Sequence, residues 1–227
     1  MEQKTVRIAA ASGAAYVIIG VAGSGGRGAP SAPSLGASGE SIAAYAAAHS
    51  LAPVMLGQLL EILSLLALLV FAAALYTILR RAESEPSPLP VLALCGGLLA
   101  VGLKLASFMP AFALHYHSTP IDPAVARALF EMNNFGFVLT WFGQAFLLGS
   151  VAIAGLAGRA IPRWLAAPAA LIAIALVGDA ALATDPNMSF VPELLWLLWV
   201  IVASVRLTIR PTLFQAKLAA PTQPAYT

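Results

Sequence analysis

An all-α integral membrane protein, a bundle of six transmembrane helices with N- and C-termini cytoplasmic, is the fold class that three features of this sequence predict. The first is composition. Of 227 residues, 60% are hydrophobic and 10% charged, and the mean hydropathy is +0.87. A soluble domain carries roughly 25% charged residues, so these few charges cannot solvate a globular surface of this size. The second is a set of six apolar runs, each near the ~20 residues that cross a bilayer. The third is the placement of lysine and arginine. With the N-terminus in the cytoplasm, the inner side receives Lys4, Arg7, Arg80, Arg81, Arg159, Arg163, Arg206, Arg210 and Lys217, and the outer side only Arg27 and Arg127. Cytoplasmic loops carry the excess of basic residues, and the inverted topology would reverse that ratio.

The runs lie near 8–23, 53–79, 88–110, 135–158, 163–183 and 192–209. The first is the shortest. Lys4 and Arg7 followed by AAASGAAYVIIGVAG also fit a secretory signal, and its cleavage would leave five spans in the same orientation. Residues 24–40 form a Gly/Pro/Ser loop on the outer side. SIAAYAAAHS then predicts a short helix at the surface, and Pro53 restarts the chain as the second span. VARALFEMNN, after Pro120 and Pro123, predicts another surface helix ahead of the fourth span. In IPRWL, Pro162 suits a first helical position, with Arg163 in the headgroups and Trp164 at the interface. Residues 1–210 thus form one transmembrane domain, and 211–227, polar and proline-bearing, a mobile cytoplasmic tail.

Several classes of function fall away. A net charge of +2, with the basic residues scattered, does not point to nucleic acid. Cys95 is the single cysteine, which excludes an internal disulfide and a cysteine-based zinc site. Lying inside an apolar run, it reads as inert packing. No phosphate-binding loop, dinucleotide fingerprint, serine-hydrolase elbow or prenylation signal is present, so no cofactor is implied. His115 and His117, with Asp122 and Glu131 beyond, are of metal-binding type but lack metal-site spacing. They read as a solvated loop pair, and no metal is assigned. Trp141, Trp196, Trp199 and Tyr76 read as packing or anchors, and Trp164 as the clearest anchor.

The polar residues inside the spans are the informative ones. Glu61 lies eight residues after Pro53, ~12 Å below the outer surface at the helical rise. Gly57, Gln58, Glu61, Ser64 and Leu68 share one helical face. Gly96, Ala100 and Lys104 follow at i, i+4 and i+8, and small residues let another backbone come close. Lys104 therefore faces neighbouring helices rather than lipid. Asn133, Thr140 and Gln144 form a stripe on the fourth span. Asp179 lies in the outer half of the fifth, and Glu193 opens the sixth. A charge at the centre of a spanning helix costs ~2.5–3.5 kcal/mol, so these groups need partners. Glu61 and Lys104, opposite in sign and similar in depth, are expected to pair or to meet through Gln58 or Gln144. Asp179 is the alternative partner for Lys104.

A family resemblance emerges from NNFGFVLTWFGQAFLLGS, the basic turn IPRWL, the apolar helix after it and PELLWLLWVI, with GQLLEILSLLALLVFAAALYTILRR upstream. Together they resemble the bacterial multi-pass membrane proteins of domain of unknown function 4386, across roughly positions 5–210. The resemblance implies six membrane helices in a bacterial plasma membrane and supplies no reaction. It matches Glu61 and Glu193 to acidic positions of the family pattern.

Three readings stay open. The candidate residues Gln58, Glu61, Lys104, Gln144, Asp179 and Glu193 form an outward-facing pocket that binds or transports a small molecule or ion. Alternatively, the chain is a structural or interaction subunit whose buried charges only fix helix packing. Third is an intramembrane enzyme using Glu61, Asp179 or His117 as acid or base, for which no nucleophile has convincing spacing. The partners implied are the lipid bilayer, an unknown small molecule or ion, and a second copy or another membrane protein.

Overall fold

The computed structural model describes residues 3–24, 33–49, 51–83, 86–116, 121–157, 161–182 and 190–209. They form seven helices and, among the described residues, no strand: α1 (Gln3–Ser24), α2 (Gly39–Ala48), α3 (Leu51–Ala82), α4 (Leu89–His115), α5 (Pro123–Leu156), α6 (Arg163–Ala181) and α7 (Val191–Ile209). All but α2 are long and apolar enough to cross a membrane. The tail at 211–227 and residues 25–32 of the loop at 24–40 lie outside the described residues.

The six long helices follow one another around a closed ring in chain order. Each packs on its successor, α1 on α3, α3 on α4, α4 on α5, α5 on α6 and α6 on α7, and α7 returns to α1. Arg7 Nε donates to the Thr208 carbonyl at 2.9 Å, so the start of α1 and the end of α7 emerge on the same face. That face carries Arg7, Arg80, Arg81, Arg163 and Arg206 and is called the basic end below. α2 caps the opposite end, packed on α5 and α4 through Ile42 and Ala46 against Leu114 and Ala126.

Three elements differ from the sequence expectation. VARALFEMNN is no separate surface helix but the first three turns of the 34-residue α5. Asp122 caps that helix, its carboxylate accepting from Ala124 N and Val125 N, and Pro123 supplies the first turn with a preset φ. The helix runs on through the Asn133–Asn134 pair, where Asn134 Nδ2 donates back to the Phe130 carbonyl at 2.8 Å. α4 runs through Pro110 to His115 instead of stopping at 110. Pro162 stands one position earlier than expected, as the extended residue before α6, and its carbonyl accepts from Leu165 and Ala166.

The exterior of the ring is apolar. Leu59, Leu63, Leu66 and Val70 line one side of α3, and Leu171, Ile174 and Val177 one side of α6, all exposed. Aliphatic side chains on the outside and small or polar ones inside are the pattern of a protein whose solvent is hydrocarbon. Cys95 is exposed on this outer surface, not packed as expected, because its neighbours Gly96 and Gly97 take the inward positions of α4. Of the tryptophans, Trp141, Trp196 and Trp199 are buried, while Trp164 is exposed beside Arg163.

Close backbone approach holds the ring together. A Cβ on Gly96 would overlap the Leu147 backbone, and one on Gly143 would overlap the Ala100 backbone. The α4–α5 seam therefore depends on glycine at both positions. α1 is fixed to α7 by a different device. Ser204 Oγ donates to the Ala10 carbonyl at 2.6 Å and accepts from Ala14 N at 3.0 Å. The hydroxyl thus sits between the two ends of one i→i−4 pair of α1, the kind of insertion that opens a helical ladder. Toward the basic end the ring is filled by Phe71, Leu75, Leu147, Leu148 and Val151, all fully buried.

Gly143→Val is expected to destabilise the protein by about 3 kcal/mol, the scale of overpacking against atoms that cannot move aside. Gly102→Ala, where a Cβ would meet nothing within 4 Å, should leave stability unchanged. Thermal unfolding in detergent followed by size-exclusion chromatography compares the two. Equal melting temperatures would show the seam to be loose.

Candidate functional site

Between the filled half of the ring and the α2 end lies a cavity of about 200 Å³. α1, α3, α4, α5 and α7 line it, and α6 does not. α3 contributes Glu61, Ser64, Leu65 and Leu68, three of which belong to the helical face read from the sequence. Glu61 lies ten residues past Leu51, ~15 Å along the helix axis. Lys104 lies eleven residues before His115 on the adjacent α4, ~17 Å from that end. Antiparallel neighbours therefore bring the two to one level.

They meet as an ion pair. Lys104 Nζ stands 3.2 Å from Glu61 Oε2, with both side chains about four-fifths buried at 21% and 20% exposure. The ammonium also lies over the Phe137 ring, 4.5 Å from its centroid, and 5.1 Å from that of Phe108. Ring faces carry partial negative charge and hold a cation without hydrogen bonds. Lys104 is thus held by a carboxylate and two aromatic faces.

The second half of the cluster comes from α5 and α7. Gln144 is buried, and its Nε2 donates to Glu193 Oε1 at 3.3 Å. In this arrangement Gln144 turns its NH₂ to the Glu193 carboxyl and its carbonyl oxygen away from it. Gln144 Oε1 and Glu193 Oε2 are both buried without a hydrogen-bond partner, as is the Trp141 indole Nε1. On the α1 side, Trp196 Nε1 donates to the Tyr16 hydroxyl at 3.3 Å, and the rings of Trp196 and Trp199 stack at 6.2 Å.

Of the hydroxyls lining the cavity, those of Ser64 and Thr140 have their hydrogens engaged within their own helices. Ser64 Oγ donates to the Glu61 carbonyl at 2.7 Å and Thr140 Oγ1 to the Phe137 carbonyl at 2.6 Å. Toward the cavity they offer lone pairs only.

Of the six candidate residues, Glu61, Lys104, Gln144 and Glu193 line this one cavity. Gln58 and Asp179 do not. Gln58 lies one turn from Glu61 toward the α2 end, and Asp179 sits on α6, the span that stays outside the cavity. Gln58 Oε1 and Asp179 Oδ2 are buried and unpartnered. Lys104 pairs with Glu61, not with Asp179. Tyr16 and Phe137 were not foreseen, although Tyr16 is the one side chain with a polar hydrogen between Gly13 and Gly23. His115 closes α4 beside Tyr45, with ring centroids 6.2 Å apart, and His117 lies outside the described residues. Among the described residues, no three His, Cys, Asp or Glu converge in a way that could hold a metal ion.

Six apolar spans around an internal cavity that holds an ion pair fit a multi-pass membrane protein. No family model matches the chain, and neither a curated protein nor a solved structure does.

Glu61→Gln and Lys104→Met are each expected to lower stability, because each leaves the other charge unpaired in a medium of low dielectric. The double variant should regain part of the loss, with a coupling of about 1–3 kcal/mol. A double-mutant cycle of melting temperatures measures it, and strictly additive losses would show that the pair contributes nothing.

Proposed function

We propose that the chain is a multi-pass protein of a bacterial plasma membrane, of the kind the family resemblance describes, with both termini cytoplasmic. In this reading it binds a small molecule or ion in a pocket open to the outer side. The orientation is supported by the basic residues gathered where the two ends of the described chain meet. The outward opening is supported by the position of Glu61, Lys104 and Glu193 in the half of the ring nearer α2.

One observation carries the binding reading: the polar groups of the cavity do not satisfy one another. A cluster that existed only to fix helix register would gain from closing its hydrogen bonds, since an unpaired buried polar atom costs about 1–3 kcal/mol. Gln144 Oε1 and Glu193 Oε2 remain open instead, beside space large enough for a ligand. The structural-subunit reading draws on a different observation, the ion pair of Glu61 and Lys104, which is complete without any guest.

Access to solvent separates the two. In a Cys95→Ser background, Ser64→Cys places a near-isosteric thiol in the cavity wall. A membrane-impermeant thiol reagent applied to intact cells is expected to label it. Labelling only from the cytoplasmic side in inverted vesicles would reverse the orientation, and no labelling from either side would favour the structural reading.

A further inference from the structure

The balance of donors and acceptors in the cavity points beyond binding in general to a class of ligand. On the acceptor side stand the carboxyls of Glu61 and Glu193, Gln144 Oε1, and the lone pairs of Ser64 and Thr140, whose hydrogens are turned into their own helices. On the donor side stand Lys104, the Tyr16 hydroxyl, the Gln144 amide already given to Glu193, and the Trp141 indole, which lies against Glu193 without a formed hydrogen bond. Lys104 is already held by Glu61 and two rings. Two carboxyls face one ammonium, and the acceptor lone pairs outnumber the donors.

Gln144 makes this a built site rather than an acidic cluster. Its side chain is only 4% exposed, its NH₂ is committed to Glu193, and its carbonyl oxygen is unpartnered. A buried amide oxygen in that state asks for a donor.

The remaining wall is aliphatic: Val17, Leu65, Leu68, Ala100 and Leu197. A bare inorganic cation would leave that surface and most of the volume to water. At roughly 30 Å³ per water-sized group, the cavity admits a guest of about six non-hydrogen atoms.

We propose that the pocket takes a primary ammonium ion on a short aliphatic body, its N–H groups directed to Glu193 Oε2 and Gln144 Oε1 and its chain lying along Leu65, Leu68 and Leu197. This rests on the reading of the cavity as an outward-open pocket. The ammonium supplies up to three donors to oxygens that lack them and a second positive charge to a site with two carboxyls. The Glu61–Lys104 pair stays intact and marks the positive edge of the pocket, so the guest's charge settles on the Glu193 side. The same Lys104 disfavours a guest with a cationic group at each end.

n-Butylammonium is a suitable probe, with 1-butanol and sodium ion as comparisons. In purified full-length protein it is expected to raise the melting temperature saturably, while neither comparison does so at equal concentration. Glu193→Gln and Gln144→Leu should each weaken the half-saturation concentration at least tenfold. A second readout, independent of those variants, is protection of the Ser64→Cys thiol from the impermeant reagent by n-butylammonium. If the thiol reacts but the amine neither protects nor stabilises, the ligand class is wrong while the pocket stands. Equal effects of 1-butanol or sodium would likewise overturn the ammonium assignment. A thiol that never reacts removes the pocket, and this proposal with it.

Discussion

A carboxylate cannot remain unaccompanied in hydrocarbon, and the pairing of Glu61 with Lys104 is the constraint from which the rest of this bundle follows. To reach a partner on the neighbouring span, both side chains must point into the ring and lie at the same level. That fixes the rotation of α3 and α4 about their axes and their mutual register. Rotation then decides which residues meet lipid: the Leu59, Leu63, Leu66 face of α3 turns outward, and Ser64 and Leu68 turn inward with the glutamate. On α4 the same rotation carries Gly96 and Gly97 inward and leaves Cys95 outside.

Proximity of backbones makes the pairing geometrically possible. In a membrane the hydrophobic effect does not drive helices together, so close packing and interhelical hydrogen bonds carry more of the association. Here the two devices are divided between seams. α4 and α5 touch through Gly96, Ala100 and Gly143, where no side chain intervenes. α1 and α7 touch through Ser204, whose hydroxyl joins the α1 ladder. The tight α4–α5 seam borders the cavity itself, since Ala100 and Gln144, the residue after Gly143, both line its wall.

Much of this was legible in the sequence. Six spans followed from run length, and the shared face of Glu61, Ser64 and Leu68 from a period of 3.6. The Glu61–Lys104 contact followed from sign, depth and adjacency in the chain. What could not be read was partnership between distant elements. Glu193 meets Gln144 across 49 positions, and Tyr16 meets Trp196 across 180, because the ring closes α7 onto α1. Nothing local encodes that closure. Asp179 resembled the other candidates in type and depth, yet α6 packs on α5 and α7 from the side away from the cavity. One helix boundary failed at a proline, where α4 runs on through Pro110 to His115, and another where VARALFEMNN continues into the fourth span as α5. Inside a membrane a proline is tolerated in a helix when neighbouring groups re-satisfy the backbone it frees.

The asymmetry of the cluster also bears on how the site could work. The ion pair is closed and carries structure, so its removal disturbs the ring before it disturbs any guest. The Gln144–Glu193 couple is different. It joins the two helices by one hydrogen bond of 3.3 Å, long for a carboxylate acceptor, and it keeps one acceptor on each residue in reserve. A guest that used those acceptors would bridge α5 and α7 without breaking anything already formed. Because α7 also holds α1 through Ser204 and Trp196, occupancy at Glu193 would be felt on both sides of the cavity. In the proposed reading, the separation of a fixed pair from an open couple is what would let one small cluster hold the fold and still take a guest.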